Sequence, residues 1–504
     1  MIPLLKKMES GTFHIEEVTG FLVKNPKELL PPYFEEWNEL ASKMTELVKV
    51  NEFRKRVDKM SHLDHQKLNG YREKRLAHLQ LSIIGAGYIW QDGDKGVPRK
   101  IPKCLAVPWY RLSEELGMKP VLSHADLILA NWKKKDENGP LELDNLKCIY
   151  NVADGEGPEW FVTVTVQIEI EFYQALINII HGIEAVIDND VIRLCNCLKK
   201  VEEAGNKMFE VLKRMNEKLT PDCFYYAMRP FLAGWGTEGS AIPDGLIYEG
   251  ISEEPQKMIG GSAGQSSTIQ TLDVGLGVEH NDDKQNFLET MRNYMPKAHK
   301  EFIETLQKSP SIRKFVTEKN NPELTEVYNK CLKNLEQFRS CHIQIVCSLP
   351  IHIYLCLFIS IYLSIYLSIY LSIYLSIYLS LSLSLYIYIY IYIYKSLLIS
   401  IYLYMFIHIY LSINLSIYVY LYPFIYLYMF TPIYLSIYLV TTTNVFLRSV
   451  FSPNRMANGC QYIVNKAKEK QKTDYASLEE RGTGGSDLIP FLKGIRQTTK
   501  DAQI

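Results

Sequence analysis

Apolar residues recur at three- and four-residue spacing over most of the first 346 positions, the signature of amphipathic helices. Between 27 and 60 the series Phe34, Trp37, Leu40, Met44 and Leu47 follows Pro31–Pro32, a pair suited to a helix start. The same spacing predicts helices over 72–90, 119–133, 168–217, 286–308 and 322–346. Phe161–Ile170 (FVTVTVQIEI) instead alternates with period two and in isolation predicts a strand. The helix over 322–346 has the best-defined start. Asn321 is placed as N-cap, Pro322 occupies the first helical position, and Glu323 and Glu326 complement the positive end of the dipole. Its apolar face runs Leu324, Val327, Cys331, Leu335, Phe338, Cys341 and Ile345, with His342 on or beside the stripe. The pattern is that of a mostly α-helical chain.

That pattern fails after residue 346. From Ile351 to Val440 a single charged residue, Lys395, stands in 90 positions, and the text is I-Y-L-S repeated, then L-S, then I-Y. The 114 residues from Cys347 to Cys460 hold 21 of the 34 tyrosines, and the other 390 hold 13, an ordinary frequency. A hydropathy window reads the stretch as transmembrane. Its residues also suit a β-prone, aggregating tract. The genetic code supplies a third reading. Repeated ATCT encodes Ile-Tyr-Leu-Ser, repeated CT encodes Leu-Ser, and repeated AT encodes Ile-Tyr. One simple-sequence DNA tract in one frame therefore yields all three repeats. Residues 347–460 are expected to be translated non-coding sequence, such as a retained intron, with a membrane segment or a disordered insert as alternatives.

Composition narrows the class. The length of 504 residues suggests about three domains. With 55 basic and 56 acidic side chains, the net charge of −1 gives no overall field for nucleic acid or an anionic membrane. Ten cysteines are too few for a disulfide scaffold, and Cys195-Asn196-Cys197 reads as structural rather than metal-binding. The N-terminal MIPLLKKMES lacks the apolar core of a secretory signal. A soluble, cytoplasmic protein is expected, with no membrane contact if the insert is an artefact.

Few residues suggest chemistry on their own. His62 and His65 form an HxxH without the glutamate of a zinc helix and read as solvated helix surface; Lys133–Lys135 reads as a solvated helix end. Two glycine-rich loops, GGSAGQSS (260–267) and GTGGSD (482–487), lack P-loop and Rossmann spacing. They are surface turns, or backbone that a flat ligand can approach closely. His342 is a core histidine or an axial haem ligand, and Arg339, one turn earlier, could reach a propionate or a buried acid. Arg229, set among Phe224, Tyr225, Tyr226 and Phe231, could pair with a carboxylate in a dry pocket or simply pack its stem over the rings. No hydrolytic constellation emerges.

Taken together, LILANWKKKD (127–136), FLAGW (231–235), DGLIYEG (244–250), GGSAGQSS (260–267), MRNYMPKAH (291–299), FRSCHIQIV (338–346) and RGTGGSDL (481–488) resemble the indoleamine 2,3-dioxygenase family. GFLVKNPKELLP and AVPWYRLSEEL match in style and order, so the resemblance spans nearly all the chain outside 347–460. It implies an all-α fold with a small N-terminal domain (1–118) and a large helical haem domain (119–346). The large domain resumes over 461–504 as a lid loop and a C-terminal helix. It implies one haem b per chain, with His342 as the proximal iron ligand and Arg339 and Asp273 as a polar pair near a propionate. Arg229 is expected to bind the substrate carboxylate, and Phe224 and Phe161 to pack against the indole. Gly261, Ser262 and Ala263 would form a small-residue wall, and Thr483 a mobile lid. His124 stands where tyrosine is usual and Thr165 where serine is usual; both should line the distal pocket and could weaken tryptophan binding.

The implied reaction opens the indole C2=C3 bond of L-tryptophan with both atoms of O2, giving N-formylkynurenine, the first step of the kynurenine pathway. No residue acts as general acid or base. Partners would be L-tryptophan or other indoleamines, O2 and an electron donor that keeps the haem ferrous, with a monomeric chain and no nucleic acid. The alternative is a non-catalytic, myoglobin-like haem O2-binding protein of the same fold.

Overall fold

A computed structural model describes residues 6, 8, 10–238, 240–413 and 488–504. These contain fourteen α-helices and four two-residue strands. The helices are α1 (Glu35–Ser42), α2 (Met44–Lys49), α3 (Phe53–Val57), α4 (Gly70–Trp90), α5 (Lys103–Leu116), α6 (Glu156–Ile187) and α7 (Val191–Lys213). They continue as α8 (Arg229–Leu232), α9 (Ser267–Leu276), α10 (Asp282–Arg292), α11 (Lys297–Gln307), α12 (Ile312–Lys319), α13 (Pro322–Ile413) and α14 (Leu488–Asp501). β1 (Lys100–Ile101) pairs in parallel with β4 (Ile247–Tyr248), and β2 (Lys133–Lys134) pairs antiparallel with β3 (Leu146–Lys147). The fold is all-α.

The chain divides into two compact units. One comprises Met1–Tyr354 with Cys460–Ile504, the other Leu355–Gly459. In the first, α4 is buried continuously from Arg75 to Trp90. The long pair α6 and α7 reverses at Asp188–Asp190, where Asn189 takes a left-handed φ of 57° and the Asp190 carboxylate caps α7 by accepting from Arg193 N at 2.9 Å. The start of α13 lies against α7 and α9. Cys331 Sγ donates to Leu198 O at 3.2 Å, Asn334 Nδ2 to Glu202 O at 3.0 Å, and Tyr328 Oη to Leu276 O at 2.7 Å. In the second unit, Tyr362–Phe406 is helical with none of its apolar window buried.

Several expectations need correction. Phe161–Ile170 is not a strand but the first turns of α6. Gly155 (φ 97°), Pro158 in the first turn and Glu159 start a helix. This helix is buried on nearly every side, so no single apolar stripe shows and its β-branched residues mimic alternation. Of 119–133 only a π-helical turn, Ala125–Leu129, is helical. The 286–308 pattern is two helices separated at Pro296, and 27–60 is three short ones. Lys133–Lys134 is a strand rather than a helix end, and His62 and His65 lie in a loop and a 3-10 turn. The Asn321 cap forms, accepting from Leu324 N at 3.0 Å, but α13 runs on past 346 to Ile413.

Candidate functional site

The residues expected on the substrate side come together as a closed ring of contacts. α6 is buried from Val162 to Glu169 except at Thr165, and Phe161 and Thr165, one turn apart, keep part of their surface open. Phe161 meets Phe224 with ring centroids 5.5 Å apart. Phe224 lies in a second π-helical stretch, Cys223–Met228, that runs directly into Arg229. Arg229 is buried, and its guanidinium lies 4.5 Å from the Tyr225 ring centroid. At the other end of α8, Leu232 O accepts from Gly261 N at 3.0 Å. Here Gly234 and Gly260 face each other so closely that a Cβ on either would run into the opposite backbone. Ser262 N and His124 N both donate to Gln265 Oε1, at 3.3 and 3.0 Å.

His124 closes the ring on α6. Its Nε2 lies 3.3 Å from Glu169 Oε1, two turns along from Phe161. Glu169 is buried and also accepts from Thr268 Oγ1 and, at 3.4 Å, from Ser266 Oγ. His124 is the one partly open residue between Val121 and Ala130. Thr165 Oγ1 donates to Phe161 O at 2.7 Å. Gly261 and Ser262 are half-buried and Ala263 is exposed. Thr483 lies outside the described residues, as do the rest of the GTGG loop and residues 414–480.

The proximal residues form a second polar cluster. Arg339 Nη2 donates to both carboxylate oxygens of Asp273, at 2.8 and 2.7 Å. Asp273 also accepts from His280 Nε2 at 3.2 Å. Burial alone would raise the Asp273 pKa, but Arg339 and His280 hold it below the usual carboxylate value. Arg339 Nη1 donates to Thr499 Oγ1, and His280 Nδ1 lies 2.7 Å from Thr498 Oγ1, so α14 is tied into the cluster. His342 is one turn beyond Arg339 and partly open. Desolvation, helped by the Arg339 charge, pushes its pKa down to about 4. Its ring is therefore neutral at pH 7, with no hydrogen-bond partner among the described residues.

Glu169, Gln265, His280, Thr498 and Thr499 carried no signal in the linear pattern. Each has a partner 45 to 218 positions away, and only the fold brings such pairs together. A further constellation also escaped the sequence. His78 Nδ1 lies 2.6 Å from Asp126 Oδ1, and His78 Nε2 lies 2.9 Å from Ser113 Oγ. This arrangement resembles a hydrolytic triad, but all three are sealed and Ser113 Oγ donates to Trp109 O at 2.7 Å. No substrate can reach it. It anchors the Ala125–Leu129 turn, whose Ala125 O also accepts from Arg75 at 2.7 Å. Among the described residues no group of His, Cys, Asp and Glu could hold a metal ion, and Cys195 and Cys197 are free, buried thiols.

The family profile described as indoleamine 2,3-dioxygenase matches residues 9–352. A myoglobin of Haliotis madaka is 44% identical over 343 residues, covering 67% of this chain and 88% of the relative. Indoleamine 2,3-dioxygenase 2 of Mus musculus is 39% identical over 337 residues, 67% of this chain and 83% of the relative. Indoleamine 2,3-dioxygenase of Saccharomyces cerevisiae is 33% identical over 335 residues, 62% and 72% respectively.

Proposed function

The chain belongs to the indoleamine 2,3-dioxygenase family, and from that premise we propose that it is a haem-dependent dioxygenase cleaving the indole 2,3 bond of L-tryptophan to N-formylkynurenine. The observation that carries this reading is the ring that joins Phe161, Phe224, Arg229, Gly261 and His124 on one side of the fold. A neutral His342 ring with no hydrogen-bond partner among the described residues fits an iron-ligating role. The buried Arg339–Asp273 pair, itself neutralised, fits a place beside a charged propionate edge. The residues present thus suit one haem b per chain. When bound, the haem supplies the dioxygen chemistry.

This chain's own part is binding, orientation and exclusion of water. Buried Arg229 takes the substrate carboxylate in a dry setting, where a bidentate pair is strong. Phe161 and Phe224 hold the indole plane, and the close backbone contact of Gly234 with Gly260 leaves a thin wall at Gly261–Ala263. No general acid or base among these residues is needed. The remaining assignments are a monomeric, cytoplasmic protein, kept ferrous by an electron donor, with tryptophan affinity lowered at His124 and Thr165.

A second reading, a non-catalytic haem O2-binding protein, is favoured by the 44% identity to an abalone myoglobin. The substrate ring argues for the enzyme. The test is N-formylkynurenine formation from L-tryptophan and reductant by the haem-loaded full chain in mild detergent. Arg229→Ala should raise the half-saturating tryptophan concentration at least tenfold with haem retained, and His342→Ala should lose the haem Soret band. A stable oxy spectrum without product would establish the carrier instead.

A further inference from the structure

The π-helical stretch that runs into Arg229 also fixes what its guanidinium rests on. The Arg229 amide donates to Phe224 O, five residues back, so the turn is wider than that of an α-helix. Tyr225, four residues before Arg229, lies on the same side of that turn. The guanidinium carbon of Arg229 sits over the Tyr225 ring, 4.5 Å from its centroid. Both side chains are buried. The Tyr225 ring is braced in turn by Tyr226, whose ring meets it edge-on at 5.7 Å with 72° between the planes.

A guanidinium taken out of water loses its hydration and needs a replacement. A fixed carboxylate supplies one, but it also cancels the charge that an incoming anion would meet. An aromatic face attracts the cation through its quadrupole and adds no formal negative charge. The attraction is strongest where water is excluded, which is the setting of Arg229. A cation held over a ring keeps its charge, and a guanidinium has five N–H donors to offer a ligand. The long side chain is also already held when the ligand arrives, so less rotamer freedom is lost on binding.

We propose that Tyr225 is a positioning residue for carboxylate recognition: its ring holds the Arg229 guanidinium in place, and the site thereby prefers indole amino acids to indole amines that lack the carboxylate. The proposal rests on the reading that Arg229 takes the substrate carboxylate. Tyr225 acts through Arg229 and needs no contact with the substrate.

The test uses the haem-loaded full chain in mild detergent and two probes, L-tryptophan and tryptamine, which differ only in the carboxylate. Affinities are read by titration calorimetry, turnover by product formation and folding by the haem spectrum. Tyr225→Leu keeps apolar bulk without the ring and should cut the preference for tryptophan over tryptamine about tenfold, with the loss falling on tryptophan. Tyr225→Phe keeps the ring face and should retain most of the preference. A ring-fluorinated phenylalanine at position 225 has nearly the shape of phenylalanine but a poorer ring face, and should lower the preference again. General loosening of the pocket weakens both probes together and does not follow ring charge. A preference unchanged in Tyr225→Leu, or equal with fluorinated and plain phenylalanine, overturns the role of Tyr225 while leaving the dioxygenase reading intact. Equal binding of the two probes by the unmodified chain overturns the carboxylate reading of Arg229 and the proposal with it. A preference that follows ring charge without any turnover supports the role of Tyr225 and overturns the dioxygenase reading.

Discussion

Asp273 shows how much a single side chain can carry in this molecule. It lies at the centre of a cluster reaching Arg339, His280 and, through them, both threonines of α14. Burial would favour its neutral form, and only the two cationic or proton-donating neighbours keep its pKa below the ordinary value. A carboxyl depressed on folding stabilises the native state above the unfolded pKa of about 3.9. That contribution disappears as the pH falls through the lower folded value. Asp273→Asn leaves the Arg339 charge buried and poorly matched, a change that costs about 3–5 kcal/mol near pH 7. The deficit should begin to shrink below about pH 4, the unfolded pKa, and disappear as the pH falls through the lower folded value, where wild-type Asp273 protonates too. Chemical denaturation of both proteins at pH 7 and below pH 4 checks this; an equal deficit at both pH values would refute the charge argument. At this scale the sequence was informative about residues inside strings with a recognisable neighbourhood, such as Arg229 and His342. It was silent about Glu169 and His280, because an isolated acid or histidine in a helical pattern carries no mark of the partner it will meet.

Elements position these residues through local irregularities. Both π-helical turns abut the site: one follows His124 and the other contains Phe224 and ends at Arg229. The glycine pair is another such irregularity, between segments. A Cβ on Gly260 would strike the Leu232 carbonyl and the Gly234 amide, neither of which can move aside as a flexible side chain could. Gly260→Ala should therefore cost about 1–3 kcal/mol through forced separation of the two segments. It should also weaken the Gly261–Leu232 bond and raise the half-saturating tryptophan concentration, while the haem spectrum stays unchanged. Thermal melts and saturation curves test this; an unaltered saturation curve would detach the wall from the site. Helix start signals at Asn321 and Pro322 were readable because they act within four residues. The π turns were not, since tertiary anchors such as Arg75 to Ala125 O and the Asp126 cluster hold the first of them. The false strand over 161–170 has the same origin: burial on all sides erases the helical stripe that reveals a surface helix.

Across the whole molecule, the two pieces that flank the low-complexity stretch belong to one compact unit. α14 and the residues after it return to residues that precede the stretch, with Thr499 on Arg339, Thr498 on His280, Asn329 Nδ2 on Ile504 O at 2.8 Å, and Phe491 against Phe287 with ring centroids 4.6 Å apart. The family match stops at 352. The repeat itself builds no docking face. Tyrosines at four-residue steps stack in succession, as Tyr366, Tyr370, Tyr374 and Tyr378 do, but each step turns about 40° beyond a full circle, so the stripe winds around the helix. Tyr362–Phe406 has 45 residues and a mean hydropathy of 1.6, and its length of about 68 Å is more than twice a hydrocarbon core of about 30 Å. It suits neither solution nor a single membrane crossing. Joining 346 to 461 leaves residues 461–487 to connect to α14, and those 27 residues can span up to about 90 Å when extended. A compact chain of 390 residues has a radius of gyration of only about 21 Å, so the link is ample. We therefore expect the chain without 347–460 to be soluble, monomeric and haem-binding. The full chain without detergent should sediment, because so large an exposed apolar surface drives association. Parallel expression of both forms, scored by soluble fraction and Soret absorbance, decides the matter. A soluble, haem-loaded, monomeric full-length protein would show that the stretch is tolerated as part of the native chain.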